Sequence, residues 1–222
     1  VDPRTVGLDG TDELAIANII ERESYLTSTF FDGSMTAGTV LMSAGVGPFL
    51  WDIVDNGLNT EAVYSTPMGH IQHLFNNWHG DLIYTFQFVH TKFHKGRLRI
   101  TWDPDADVFT NSDTTTTSIT KIVDLGQSNK VELRVPYLQS TPWLDCRKDL
   151  VDTPLFTPNS FSGTVTHHGI EGATNGTISV RILNPLTGPA SPTYAAVVMY
   201  VRAAENFRFG NPRSELPQHS IY

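Results

Sequence analysis

The chain has 222 residues, 40% of them hydrophobic and 10% aromatic, which suits a single large domain with its own core. Its net charge of -8, from 15 Lys/Arg against 23 Asp/Glu, comes with no basic block, so nucleic-acid binding by phosphate neutralisation is excluded as its main task. The lone cysteine, Cys146, excludes an internal disulfide, and no apolar run is long enough for a helix that crosses a membrane. Charged residues make up only 17%, which leads us to expect a surface partly covered by partners. No secretory signal is visible, and the chain opens at Val1 without methionine, as a segment released from a longer precursor would.

From the N-terminus, "GTDELAIANII" predicts a short helix, with Thr11 as N-cap, Asp12 and Glu13 in the first turn, and Leu14 one turn before Ala17 and Asn18. "YLTSTFF" and "MTAGTVLMS" read as a pair of strands. "STPMGHIQHLFNNW" predicts a second helix, capped by Thr66 with Pro67 at its first position, and places Ile71, Leu74, Phe75 and Trp78 on one face. From Asp81 to Thr91, Leu82, Tyr84, Phe86 and Phe88 alternate with Ile83, Thr85, Gln87 and Val89, which predicts a core strand. Leu98, Ile100 and Trp102 alternate in the next strand. "KIVDL" and "KVELRV" follow, separated by "GQSN". After a long excursion from Pro136 to about Thr174, Ile178, Val180 and Ile182 mark another strand. "YAAVVMYV", Tyr194 to Val201, is apolar on both faces, so both are expected to be covered. About eight short strands with turn signals at regular spacing predict an all-β, antiparallel, eight-stranded jelly-roll sandwich with one or two short helices and long connecting loops.

No catalytic, cofactor-binding or metal-ligating set survives inspection. His90 and His94 have the H-x-x-x-H spacing of zinc helices, but they lie at a strand end, where residues four apart are about 13 Å apart, and the glutamate is missing. The basic stretch around them, "HTKFHKGRLR", reads as an exposed turn followed by the solvent face of a strand. His70, His73 and His79 have no cysteine or carboxylate in company. Asp103, Asp105 and Asp107 start like a calcium loop, yet its obligatory glycine and glutamate are replaced by Val108 and Thr114, leaving a solvated turn or a simple surface calcium site as alternatives. Nothing near Cys146 would activate its thiol. The expectation is therefore a protein that is not an enzyme and carries no cofactor.

At "FNNWHGDLIYTFQFVHTKFHKGRLRITWDPDAD" the sequence resembles the central strands of picorna-like virus capsid proteins. The matching residues are Phe75, Trp78 and Gly80, the alternating strand Tyr84 to Phe88, the turn Lys95-Gly96, the strand Arg97 to Ile100, and Pro104. "KIVDLGQSNKVELRVPYLQSTPWLDC" is similar to the paired strands of the same family, with Asp124 and Gly126 at the turn and Val135-Pro136-Tyr137 at a strand end. "LDGTDELAIANIIERESYLTSTFF" and "AENFRFGNPRSELPQHSIY" resemble the opening and closing segments of dicistrovirus and marnavirus subunits, the third large subunit most of all. The resemblance implies release from a polyprotein and assembly with sister subunits into an icosahedral shell around a positive-strand RNA, in the host cytoplasm. It leaves room for receptor contact through loops and for at most weak contact with the RNA. The Asp-Asp-Phe motif that some relatives use for autocleavage is absent.

One domain is expected over residues 1–222, with extended segments at about 1–24 and 205–222. Val1–Gly10 and Glu205–Tyr222 are polar and proline-marked, and are expected to be ordered only by lying across neighbours. Two rival readings remain. A lectin-like module would use Trp143 and Asp145 in the long excursion, and a cupin-like enzyme would need metal-binding histidines that "HIQH" does not supply.

Overall fold

Period-two alternation of apolar side chains is met by strands. The computed structural model describes residues 12, 14–49, 51–55, 61–104, 119–146, 156–158, 172–189 and 193–214. Its elements, in chain order, are α1 (Ile16–Ile20), β1 (Ser24–Asp32), β2 (Val40–Gly45), β3 (Trp51–Asp55), β4 (Glu61–Ser65), α2 (Pro67–Ile71), a 3-10 turn (Gln72–Leu74), β5 (Phe75–His79), β6 (Leu82–Val89), β7 (Lys95–Asp103), β8 (Ile119–Asp124), β9 (Lys130–Val135), β10 (Leu144–Asp145), β11 (Phe156–Pro158), β12 (Thr177–Thr187), β13 (Tyr194–Ala203) and β14 (Arg208–Pro212).

Sheet I has the order β1-β13-β6-β9, and sheet II the order β11-β2-β12-β7-β8. Leaving aside the short β11, these are the eight antiparallel strands of a jelly roll, as the strand spacing predicts. The chain crosses from one sheet to the other between β1 and β2, β6 and β7, β8 and β9, and β12 and β13. The inward faces carry Phe31, Tyr84, Phe86, Leu133, Val197, Met199 and Val201 from sheet I, and Met42, Leu98, Ile100, Trp102, Ile178, Val180 and Ile182 from sheet II, all buried. Each such side chain contributes about 1.5–3 kcal/mol by leaving water. A gap between the sheets, bounded by Met42, Ala44, Phe86, Ile178, Val180 and Met199, has an empty volume of about 130 Å³ and no room for a water molecule. The interior is packed rather than hollow.

The structure departs from the sequence expectations in several places. "YLTSTFF" and "MTAGTVLMS" become β1 and β2 but do not pair with each other: β1 pairs with β13 and β2 with β12. "KIVDL" and "KVELRV" likewise separate, β8 joining β7 and β9 joining β6. Their connection is pinned at both ends across the sandwich, Leu125 N–H donating to Gly96 O (3.1 Å) and Phe88 N–H to Asn129 O (2.8 Å). In both cases the apolar faces of the two strands look at each other through the core, which a hairpin within one sheet would not allow.

The helices behave differently from each other. Thr66 caps α2 as expected, its Oγ1 accepting from Gly69 N–H at 3.0 Å, with Pro67 in the first turn. The expected helical face stops at Ile71, however. Phe75 and Trp78 lie on β5, because pairing with β14 and β10 outcompetes continuation of the helix. Helix α1 starts at Ile16 with Ala15 as its N-cap and no side-chain cap, while Asp12 closes a turn just ahead of it by accepting from Leu14 N–H (3.1 Å). Thr11 and Glu13 lie outside the described residues. On β13, Ala195, Val197, Met199, Val201 and Ala203 are buried, but on the other face Tyr194 is exposed and Val198 and Tyr200 are half-buried, so only one of the two expected coverings is present.

Candidate functional site

A small annex, the sheet β10-β5-β14, lies beside the sandwich. Trp78 is fully buried on β5, its Nε1 donating to Ala173 O at 3.1 Å, and its ring stacks on Phe207 at 5.8 Å. Phe75 stacks on Phe209 at 5.2 Å. Gly80 takes φ +120, and a Cβ there would lie 2.5 Å from Phe207 Cα, so glycine is what lets the 204–207 turn close onto β5. The first part of the C-terminal segment is therefore an element of this chain's own fold, through β14, contrary to the expectation that Glu205–Tyr222 is ordered only by neighbours. Residues 1–10 and 215–222 lie outside the described residues.

Arg134 clamps this turn to the sandwich. Its Nε donates to Asp81 (2.8 Å), its Nη1 to Glu205 (2.7 Å). Asp81 also accepts from Tyr137 N–H at 2.9 Å. Burial works to raise the Asp81 carboxyl, but the Tyr137 N–H, the Arg134 guanidinium and Asn206 prevail and hold it below the usual carboxylate range. The Arg134 hydrogen bond lowers Glu205 in the same way. Asn175, fully buried, is a second pin. Its Oδ1 accepts from Leu138 N–H (3.1 Å) and Gln139 Nε2 (3.2 Å), its Nδ2 donates to Pro136 O (2.8 Å), and its backbone carbonyl accepts from Trp102 Nε1 (2.9 Å). Sequence reasoning missed both pins. The available signal was the Asn175-Gly176 pair, whose glycine takes φ +82.

The residues weighed for chemistry are used locally. His90 Nδ1–H donates to Thr91 O (3.0 Å) and His94 Nδ1 accepts from Thr91 N–H (3.3 Å), so both rings brace one turn. His79 Nδ1–H donates to Pro142 O (2.8 Å) and packs on Tyr137 and Trp143. Asp103 ends β7; Asp105 and Asp107 lie outside the described residues. Among the described residues no group of His, Cys, Asp or Glu is arranged to hold a metal ion. The buried Cys146 thiol is pushed up to about 12 by desolvation, ahead of any effect of Arg213, so it stays protonated and unreactive. Trp143 lies against Gly210, and the Asp145 carboxylate accepts from Asn77 Nδ2 (2.8 Å), so both lectin candidates serve the annex.

What remains exposed is sheet surface. The outer side of sheet II is polar and buried: Ser43, Thr101, Thr177, Ser179 and Arg181 are all nearly inaccessible. The outer side of sheet I is apolar at one end and accessible. Phe30, Ala196 and Val89 form one row across β1, β13 and β6, with Phe30 66% and Val89 55% exposed. Tyr194, 58% exposed, faces Asp32 in the next row. Between the free edges of β8 and β9 runs a cleft of about 600 Å³, where Lys121 Nζ reaches Glu132 O (3.0 Å) and Ser128 Oγ reaches Lys130 O (2.9 Å). Both edge carbonyls are thus occupied by side chains.

Comparison with known proteins agrees with this architecture. The family model for picornavirus capsid protein matches residues 48–157. The structural polyprotein of Cricket paralysis virus is 27% identical over 212 residues, 93% of this chain and 23% of that polyprotein. The genome polyprotein of Deformed wing virus is 26% identical over 62% of this chain, which spans 5% of it. The chain therefore covers less than a quarter of the length of these relatives. A chain in the structure of a marine algae virus of the order Picornavirales is 26% identical with a TM-score of 0.87, covering 100% of this chain and 84% of that one. The Triatoma virus empty capsid shares the fold at 22% identity and a TM-score of 0.74, covering 97% of this chain and 83% of that one. Jelly-roll winding, a filled interior and this family match together place the chain among the picornavirus-type capsid proteins, a structural family and not an enzyme family.

Proposed function

We propose that the chain is one wall unit of an icosahedral shell, assembling with related jelly-roll subunits around a positive-strand RNA genome. The observation that supports this best is the whole-length likeness to the marine algae virus chain. The physics agrees. Two twisted sheets with a filled core make a stiff wedge that transmits contacts without deforming. With a net charge of -8, the chain is suited to at most weak contact with the RNA. Release from a polyprotein, assembly in the host cytoplasm, the position of the third large subunit, and receptor contact through exposed loops are parts of the same reading. So is a single domain over 1–222 whose outermost segments, 1–10 and 215–222, are ordered across neighbours.

The test is co-expression of the chain with its precursor's other capsid segments, followed by gradient sedimentation and electron microscopy. Large particles containing this chain and companions of similar size are expected. A monomer or small oligomer with no companions would overturn the reading.

A further inference from the structure

On the outer side of sheet I, the charges toward β9 pair within the chain, while Asp32, opposite Tyr194 at the other end, accepts from Ser34 N–H at 2.7 Å. Lys130 meets Glu23 (3.4 Å), Arg202 meets Glu132 (3.8 Å), and Arg134 meets Asp81 and Glu205. These pairs occupy the half of the face toward β9. The other half is the apolar row Phe30, Ala196 and Val89, with Tyr194 beside it. The turn 90–94 continues directly from Val89 and carries Phe93, 73% exposed. The His94 ring of that turn and Thr193 both lie against Gly188, which brings the turn near Tyr194. Lys92 and Lys95, both exposed on this turn and the start of β7, make no ion pair with any described residue.

We propose that this apolar end of sheet I is the seat of a sister capsid subunit whose contact surface is apolar and carries carboxylates along the margin that meets Lys92 and Lys95. The inference rests on the shell reading and adds to it the face and the chemistry of the partner. Three strands at about 4.8 Å spacing and about 10 Å of strand length give a flat area of about 150 Å². That is roughly a fifth of what one side of a standard interface buries, so it serves as the apolar centre, with the neighbouring turns as the larger rim. A second copy presenting the same face would offer Lys92 and Lys95 one carboxylate, Asp32, which is already held by Ser34, and this favours a different chain.

The test is a photoreactive benzoylphenylalanine at position 30 and, separately, at position 194, in the co-expressed shell proteins. Irradiated particles are expected to give an adduct with a sister subunit, mapped to an acidic segment of it. Adducts only with a second copy of this chain, or none, overturn the proposal. The double variant Lys92→Glu/Lys95→Glu is expected to lower particle yield by about tenfold or more while the isolated chain melts as the unsubstituted one does. Unchanged yield overturns the charge-matched partner. The two readings fail separately: no particles from the unsubstituted proteins sinks the shell, whereas particles without the adducts sink only this docking face.

Discussion

The two sheets meet across one core, but their outer faces are opposites. Sheet II hides a polar outer face, with Arg181 only 3% exposed, while sheet I leaves an apolar one open. An isolated domain would show the reverse, since burying hydroxyls without partners costs free energy and exposing Phe30 and Tyr194 forgoes some. The open apolar face makes sense only when another surface covers it. The folded chain is complete along sheet II and incomplete along sheet I.

The contrast can be broken most strongly on the covered side. Ser179 sits between Ser43 and Thr101 on adjacent strands, all buried. Ser179→Glu would bury a carboxylate among hydroxyls, with Arg181 two residues along as the cation on that face, and is expected to lower the stability of the isolated chain by about 3 kcal/mol, read from urea unfolding. An unchanged midpoint would mean that this face opens readily. Next comes Asn175→Ala, which strips the Pro136 carbonyl and the Leu138 N–H of their partners. A loss of about 2–3 kcal/mol is expected, with faster exchange of the Leu138 amide. Thr66→Ala removes one helix cap and is expected to cost about 1 kcal/mol. On the open side, Tyr194→Ser is expected to change the stability of the free chain by no more than about 0.5 kcal/mol, yet to reduce particle yield. A large loss in the free chain would show that the face belongs to the fold after all.

A pH series sharpens the account of the clamp. Asp81 and Glu205 have lowered pKa values, so the folded state binds their protons less readily than the unfolded chain does. Their stabilisation is complete above the ordinary carboxylate pKa, about 4, and drains away as pH falls below it toward the folded values. Between about pH 5 and about pH 3, the melting temperature of Asp81→Asn should therefore fall less steeply than that of the unsubstituted chain. Parallel curves would remove Asp81 from the clamp.

The strands of the sandwich were legible because the period-two pattern of Leu82 to Val89, or of Leu98 to Trp102, records a face that points at a core. What was not legible is which strand pairs with which. Two strands separated only by "GQSN" do not say which sheet each joins, and only the three-dimensional need to face apolar sides across the core sends β8 and β9 to different sheets. Phe75 and Trp78 fit a helical face by spacing, and long-range pairing with β14 turned them into a strand. The annex was hidden because its partners, 144–145 and 208–212, lie far from β5 in sequence. The open face was half legible: "YAAVVMYV" announced two apolar sides, but not that one of them is uncovered within the chain.

The most direct test of the incomplete face is hydroxyl-radical footprinting of the free chain and of assembled particles, with oxidation read by mass spectrometry at Phe30, Tyr194 and the buried Met42. Phe30 and Tyr194 are expected to react strongly in the free chain and to be protected in the particle, while Met42 stays protected in both. Full reactivity of Phe30 and Tyr194 within intact particles would contradict the account.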